Sequence, residues 1–178
     1  MSRIGKRPIP FDSKVEVSLK GDVLRVKGPK GTLERTVHPK ISVRIENNTI
    51  IVERKDEEKE SKALHGLFRM LLSNMVVGVT TGFTKVLDVK GTGYKFELKG
   101  NKLAFALGFS HPVEMELPKG ITAEVKPNEL TLTAADKQQL GDFAAKVKAL
   151  RPVEPYKGKG VSYRGQVIRR KAGKAAGK

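Results

Sequence analysis

Apolar and polar residues alternate along the first part of this 178-residue chain, and the alternation then gives way to a helical spacing. The alternating stretches fall at residues 15–26 and 41–45, and a period of two indicates half-buried β-strands. The apolar residues that follow recur every three or four positions, which predicts one helix that stops near Gly78. This helical stripe consists of Leu64, Leu67, Phe68, Leu71, Leu72, Met75 and Val76.

The second half of the chain repeats this order of patterns. Alternation returns between residues 94 and 125, and a shorter helical stripe follows it before Pro152. That stripe consists of Leu140, Phe143, Ala144 and Val147. Each half therefore predicts several strands followed by one helix that packs across them.

Short sequence matches between the halves indicate a duplication. Leu19-Lys20-Gly21 returns as Leu98-Lys99-Gly100, and Pro39-Lys40 returns as Pro118-Lys119 at the same offset. We therefore predict an α+β protein of two tandem, similar modules, each an antiparallel sheet with one packed helix, followed by a basic tail. The predicted boundaries are 1–82 for the first module with its basic N-terminus, 83–154 for the second module and 155–178 for the tail.

The tail carries much of the positive charge. The chain has a formal net charge of +16, and residues 155–178 contain lysines and arginines but no acidic residue. The rest of the chain is also basic, so the protein attracts polyanions, either nucleic acid or an anionic membrane surface. Glycines, Tyr156 and Tyr163 lie among the cations, and aromatic rings offer flat faces for unstacked bases. This composition suits a segment that binds folded RNA, although a solvated, disordered basic tail would have the same composition.

The composition also excludes some classes of protein. The chain has no cysteine, which rules out disulfides, thiolate metal sites and thiol catalysis. The first residues carry charge without an apolar core behind it, unlike a secretory signal. No apolar run approaches the roughly 20 residues of a membrane helix. We therefore expect a soluble, cytoplasmic protein that is not bound to a membrane.

A search for catalytic chemistry finds little. His38, His65 and His111 are far apart and show no ligand spacing, so we interpret them as surface or partly buried structural residues. The acidic residues at 56–60 begin the first predicted helix, where carboxylates complement the helix dipole. Gly91-Thr92-Gly93 lacks the last glycine of a dinucleotide fingerprint and leads into a strand pattern. Gly28-Pro29-Lys30-Gly31 is interpreted as a strand connection that offers an extra basic contact. We predict no catalytic residue, no metal site, no cofactor and no small-molecule substrate.

Several long motifs occur in the order found in one known family. They are residues 2–9, 89–94 and 108–113, the C-terminal run Arg151-Pro152-Val153-Glu154-Pro155-Tyr156-Lys157-Gly158-Lys159-Gly160-Val161 with Tyr163, and residues 167–174. This combination resembles the bacterial family of large-subunit ribosomal protein six. The resemblance covers the whole chain.

The resemblance implies two similar α+β modules and a place in the large ribosomal subunit. It also implies contact with 23S, the large-subunit ribosomal RNA, beside neighbouring ribosomal proteins at the base of the stalk. Translation factors bind close to that region. Carried onto matching positions, the expected RNA contacts are Tyr156, Lys157, Lys159, Tyr163, Arg164, Arg169, Arg170, Lys171 and Lys174. Arg3, Lys6 and Arg7 are weaker candidates.

Other function classes remain to be compared with this interpretation. A free nucleic-acid-binding module, not stably attached to ribosomes, would have the same charge. An RNA-modifying enzyme would need a catalytic constellation, and a membrane-surface protein would need a basic amphipathic helix. We expect the segment from about Lys157 onward to be mobile in the free protein and ordered on RNA. On this view, truncation after Glu154 leaves both modules folded.

Overall fold

The computed structural model describes residues 4–173, and these residues form two compact units. The first unit holds the chain up to Gly82 together with Ala135–Lys137. The second holds Phe83–Ala134 and the chain from Gln138 onward. Each unit has its own cluster of buried apolar side chains, so each has its own core.

The first unit contains six strands and one helix. They are β1 (Ile9–Pro10), β2 (Glu16–Lys20), β3 (Val23–Gly28), β4 (Gly31–Thr36), β5 (Ile41–Glu46), β6 (Thr49–Arg54) and α1 (Lys59–Thr80). The strands form two antiparallel sheets, ordered β2-β3-β4 and β1-β6-β5. Of the predicted stripe on α1, Phe68, Leu72 and Val76 are buried in the core, whereas Leu67 is exposed.

The end of α1 differs from the prediction. The helix continues past Gly78 to Thr80, so the predicted stop at this glycine is wrong. The connection between β3 and β4 holds the last turn, because the Lys30 backbone N–H donates to the Val79 carbonyl at 3.0 Å. The Lys30 ammonium also binds the Thr81 carbonyl. The segment around Lys30 is therefore a strand connection, as predicted, and it satisfies carbonyl groups that the helix end leaves without intrahelical partners.

By length and composition alone, α1 is long and apolar enough to cross a membrane, contrary to the expectation from the sequence. The core helix of a soluble protein passes the same test. Phe68, Leu72 and Val79 of α1 pack in the core of the first unit. Packing within the unit accounts for one face of this helix, whereas Leu67, Met70 and Val77 are exposed.

The second unit contains seven strands and one helix within the described residues. They are β7 (Phe83–Lys90), β8 (Lys95–Lys99), β9 (Lys102–Ala106), β10 (Val113–Glu116), β11 (Ile121–Lys126), β12 (Glu129–Ala134), α2 (Lys137–Leu150) and β13 (Gly160–Tyr163). The strands form two antiparallel sheets, ordered β10-β9-β8 and β11-β12-β7-β13. The predicted stripe of α2, from Leu140 to Val147, is buried.

The two units repeat one topology, which confirms the predicted duplication. The meander β2-β3-β4 corresponds to β8-β9-β10, and the order β1-β6-β5 corresponds to β7-β12-β11. The matched glycines Gly21 and Gly100 occupy the same hairpin turn with φ of 58° and 60°. A positive φ favours glycine, so the repeated tripeptide marks a turn that both copies require. Ile50 on β6 and Leu130 on the corresponding strand β12 are both fully buried.

The region predicted as a separate tail contains a strand of the second unit. Within 155–178, β13 pairs antiparallel with β7, and Val161 lies opposite Val89 in a fully buried position. The predicted boundary between the second module and a separate tail at residue 155 therefore cuts through the sheet of this unit. The expected mobility from Lys157 onward does not fit this packing at residues 160–163. Only four residues form the strand, so its pattern does not stand out among the surrounding cations.

Candidate nucleic-acid interface

Glu154 organises a tight loop at the start of the basic segment. Its carboxylate accepts hydrogen bonds from the backbone N–H groups of Lys157, at 2.7 Å, and Tyr156, at 2.9 Å. These bonds stabilise the charged form, so the pKa of Glu154 lies below its ordinary value. The Glu154 backbone N–H also donates to the Lys159 carbonyl at 2.8 Å. The loop presents Tyr156, Lys157 and Lys159 to solvent, with Tyr156 54% exposed.

The last described residues fold back onto this loop. The Lys171 backbone N–H donates to the Pro155 carbonyl at 3.0 Å, and the Arg170 guanidinium lies against Gly158. The fold therefore brings together five of the predicted contacts, which we call the tail cluster. It consists of Tyr156, Lys157, Lys159, Arg170 and Lys171.

Arg164 lies apart from the loop, at the end of β13, and has acidic partners. Its guanidinium lies 2.7 Å from the Glu129 carboxylate on β12 and 3.1 Å from the Asp88 carboxylate on β7. The pKa of Arg164 is raised mainly by its hydrogen bond to Glu129 and, to a smaller extent, by its hydrogen bond to Asp88. The same hydrogen bond lowers the pKa of Glu129. In this arrangement Arg164 joins three neighbouring strands through one guanidinium nitrogen that contacts both carboxylates.

Tyr163 also has partners within the second unit. The Lys148 ammonium lies 4.9 Å from the centre of its ring, and the Lys85 ammonium lies 5.2 Å from it. The neighbouring cation Arg151 lies 5.5 Å from the centre of the Phe109 ring. Lys85 and Lys148 did not stand out in the sequence, and Arg151 and Phe109 appeared there only as members of the family motifs. The only signal was the spacing of Lys148 and Arg151, which places two cations at the end of the predicted helix.

The remaining predicted contacts are distributed differently. Arg169 is exposed, and Lys174 lies outside the described residues. Of the weaker candidates, Lys6 and Arg7 are exposed in the first unit, and Arg3 lies outside the described residues. The structure thus brings together the tail cluster, whereas Tyr163 and Arg164 make their contacts with other residues of the second unit.

The histidines lie in separate environments. His65 is 3% exposed, so it is more deeply buried than predicted, and its Nε2 lies 2.8 Å from the Val52 carbonyl. The Nδ1 of His38 accepts the Lys40 backbone N–H at 3.3 Å, and His111 is exposed beside Ser110. Over residues 4–173, no group of three or more histidine, aspartate or glutamate side chains is placed to hold a metal ion.

The acidic residues before α1 have structural partners. The Lys40 ammonium lies 2.6 Å from the Glu60 carboxylate and 2.7 Å from the Glu58 carboxylate, and Glu57 pairs with Arg54. Asp56 accepts the Glu58 backbone N–H at 3.0 Å. These contacts join the start of the helix to neighbouring strands and turns, in keeping with the predicted role at the helix N-terminus.

Comparison with known proteins identifies the family. The model of the family described as Ribosomal protein L6 matches residues 11–82 and 90–164. The large ribosomal subunit protein uL6 of Oleidesulfovibrio alaskensis is 54% identical over 178 residues, covering 100% of this chain and 99% of the relative. The proteins of the same name from Dictyoglomus thermophilum and Chloroherpeton thalassium are 52% and 50% identical, with 100% of both chains covered in each comparison. The predicted resemblance is confirmed, and the chain belongs to the ribosomal protein L6 family.

Proposed function

We propose that this chain binds 23S ribosomal RNA through its second unit, with the tail cluster as the principal contact. As a member of the ribosomal protein L6 family, it is a structural, non-enzymatic component of the large ribosomal subunit, located with the ribosome in the cytoplasm. The finer proposal places it near the base of the stalk, beside neighbouring ribosomal proteins and close to the site of translation factors. The resemblance of the C-terminal motifs supports that location.

One observation carries the RNA-binding proposal: the basic segment is anchored, yet its cations face solvent. Strand β13 fixes the segment to β7, and the Glu154 loop and the Lys171–Pro155 hydrogen bond fold its two ends together. No acidic residue follows Glu154 in the chain. An anchored group of cations loses less conformational freedom on binding than a loose tail would lose.

The residue types suggest distinct roles for the proposed contacts. The guanidinium groups of Arg169 and Arg170 can bind phosphate through two hydrogen bonds, whereas Lys157, Lys159 and Lys171 act as point charges. The exposed Tyr156 ring offers a face for an unpaired base. Lys174 remains a predicted contact.

The salt dependence of RNA binding tests this proposal. Affinity of the full chain for in vitro transcribed large-subunit ribosomal RNA is measured across a range of salt concentrations. Each neutralised phosphate contributes roughly −0.9 to the slope of log affinity against log salt on a duplex. The expected result is a steep negative slope, reduced when Lys157, Lys159, Arg169 and Arg170 are neutralised together. A slope near zero would contradict the proposal.

A sedimentation experiment separates the ribosomal protein from a free nucleic-acid-binding module. The ribosomal constituent should remain with large subunits after a high-salt wash, whereas a free module should be released. Chemical footprinting of those subunits then tests the location. Protection at the base of the stalk supports the finer proposal, and protection confined to other regions contradicts it.

A further inference from the structure

Three elements of the second unit meet at the ring of Tyr163. Tyr163 on β13 lies opposite Leu87 on β7, and directly opposed residues of an antiparallel pair point to the same face of the sheet. Lys85 lies two positions before Leu87 and so shares this face. Lys148 reaches the same ring from α2. Two ammonium groups, at 4.9 Å and 5.2 Å from the ring centre, therefore share one aromatic side chain.

A third cation is held in the same way nearby in the chain. Arg151 directly follows α2 and lies one helical turn beyond Lys148, with its guanidinium 5.5 Å from the centre of the Phe109 ring. Cations near a helix C-terminus are also favoured by the helix dipole. We call Lys85, Lys148 and Arg151 the ring-held cations.

Over residues 4–173, many other cations of the protein are paired with carboxylates, and the ring-held cations are not. Lys40 is paired with Glu58 and Glu60, and Lys102 is paired with Glu116. In the described part of the chain, no carboxylate lies within 4.0 Å of a side-chain nitrogen of Lys85, Lys148 or Arg151. A ring orients a cation through its quadrupole but does not neutralise the charge. These three charges thus remain available to an anion, and an anion would relieve the repulsion between the two lysines.

We propose that the ring-held cations form a second binding site for RNA backbone phosphates, separate from the tail cluster. The proposal rests on the proposed function, because it assumes that the second unit binds ribosomal RNA. The site lies on folded elements, a strand and the end of a helix, whereas the tail cluster lies on a loop and the chain that returns to it. Cations held in place before binding lose little side-chain freedom when a phosphate arrives.

The test compares two variants of the full chain that lose the same charge. The first is Lys85→Gln/Lys148→Gln/Arg151→Gln. The control is Lys95→Gln/Lys99→Gln/Lys102→Gln, which alters lysines of the same unit that are paired with Glu97 or Glu116. Affinity for in vitro transcribed large-subunit ribosomal RNA is measured across salt concentrations. We expect the first variant to reduce the magnitude of the log–log salt slope by about 2–3, at roughly 0.9 for each lost phosphate contact, and the control to change it by less than about 1.

The outcomes separate this inference from the function on which it rests. Equal losses of affinity and slope in the two variants would overturn the second site while leaving RNA binding by the second unit intact. Absence of salt-dependent RNA binding by the unaltered chain would overturn both. A loss confined to the first variant supports the site.

A second pair of variants separates an RNA contact from a structural role. Tyr163→Leu removes the ring and should weaken RNA binding, whereas Tyr163→Phe keeps the ring and should weaken it less. Because Tyr163 is only partly exposed, thermal melting of each variant is recorded as well. If Tyr163→Leu also melts at a lower temperature, the salt slope of Lys85→Gln decides between the two roles. Because the Lys85 side chain is exposed, this variant should lose about one phosphate contact and keep the melting temperature of the unaltered chain. An unchanged slope for Lys85→Gln would count against the site.

Discussion

The Arg164 guanidinium lies 2.7 Å from the carboxylate of Glu129, which is on β12, two strands away across the sheet. It also lies 3.1 Å from the carboxylate of Asp88 on β7, the strand between them. The register places Asp88 directly opposite both Glu129 and Ser162, so these residues form one row across the sheet. A cation in the basic segment thus holds β13 against β7 and β12. Its contribution to RNA binding and its contribution to folding can be separated experimentally.

Arg164→Gln should lower thermal stability, whereas Arg169→Gln should weaken RNA binding. Arg164→Gln removes the bridge between the strands, so we expect the melting temperature to fall by roughly 1–3 °C, the modest effect of a surface ion-pair network, with little loss of RNA affinity. Arg169 is exposed, so Arg169→Gln should weaken RNA binding and leave melting unchanged. Calorimetry and RNA titration of both variants check this. If Arg164→Gln weakened binding as much as Arg169→Gln at equal stability, Arg164 would be a direct contact.

The Arg164–Glu129 pair should also make stability depend on pH. The hydrogen bond from Arg164 lowers the pKa of Glu129 in the folded chain below its ordinary value of 4.5. A lowered folded-state pKa contributes stability that is present above pH 4.5 and is lost as the pH falls through the folded-state value. Thermal melting between pH 7 and pH 3 should therefore show a smaller acid-induced decrease for Glu129→Gln than for the unaltered chain. Parallel curves for the two proteins would argue against this contribution.

Two truncations should separate folding from RNA binding in the basic segment. Ending the chain after Glu154 removes β13 and the fully buried Val161, whose burial alone is worth about 1.5–3 kcal/mol. We therefore expect the second unit to be destabilised, contrary to the expectation from sequence. Ending the chain after Gln166 keeps β13 and Arg164 but removes Arg169, Arg170 and Lys171. This shorter truncation should leave the free energy of unfolding unchanged and reduce the affinity for RNA. Equal stability of the two truncated chains in urea would contradict the role of β13.

Gly5 should be intolerant of a side chain. A Cβ atom at this position would lie 2.6 Å from Nδ1 of the buried His65, so Gly5→Ala must displace the ring or the N-terminal segment. Overpacking of this kind costs about 1–3 kcal/mol. Gly141 is a matched control, because it lies within α2 and has open space around the equivalent atom. Gly141→Ala should stabilise by about 0.5–1 kcal/mol. Denaturant unfolding of both variants measures the difference, and equal midpoints would refute the clash.

Much of the fold follows from local patterns in the sequence. The turn glycines Gly21 and Gly100 mark the same position in both copies, and buried residues such as Phe68 and Phe143 follow the helical spacing, because turn geometry and helical periodicity are local properties. The division of the strands into two sheets in each unit is not local. It depends on which strand edges meet, and alternation carries no information about partners.

The contacts of the candidate site, like the division into sheets, could be predicted only in part from the sequence. Composition predicted a group of cations, and the structure brings Lys157 and Arg170 together through the Glu154 loop. Residue type alone could not show that Arg164 binds carboxylates or that Lys85 and Lys148 share the Tyr163 ring. The contacts of Arg164 and Lys85 arise from strand register, which places residues distant in the chain side by side, and Lys148 reaches the ring from α2.

The pairing of β13 with β7 has a consequence for how the protein is made. A sheet edge as long as β7, eight residues, exposes unpaired backbone groups that can recruit a strand from another chain. The equivalent edge of the first unit, β1, has only two residues and ends in Pro10, which has no N–H to offer. During synthesis β13 cannot pair with residues 87–90 of this edge until residue 163 has left the ribosome that is making the chain. A nascent chain that stops before β13 would therefore expose the whole length of β7 to strand exchange, whereas β13 covers half of that edge with the segment that also carries the tail cluster.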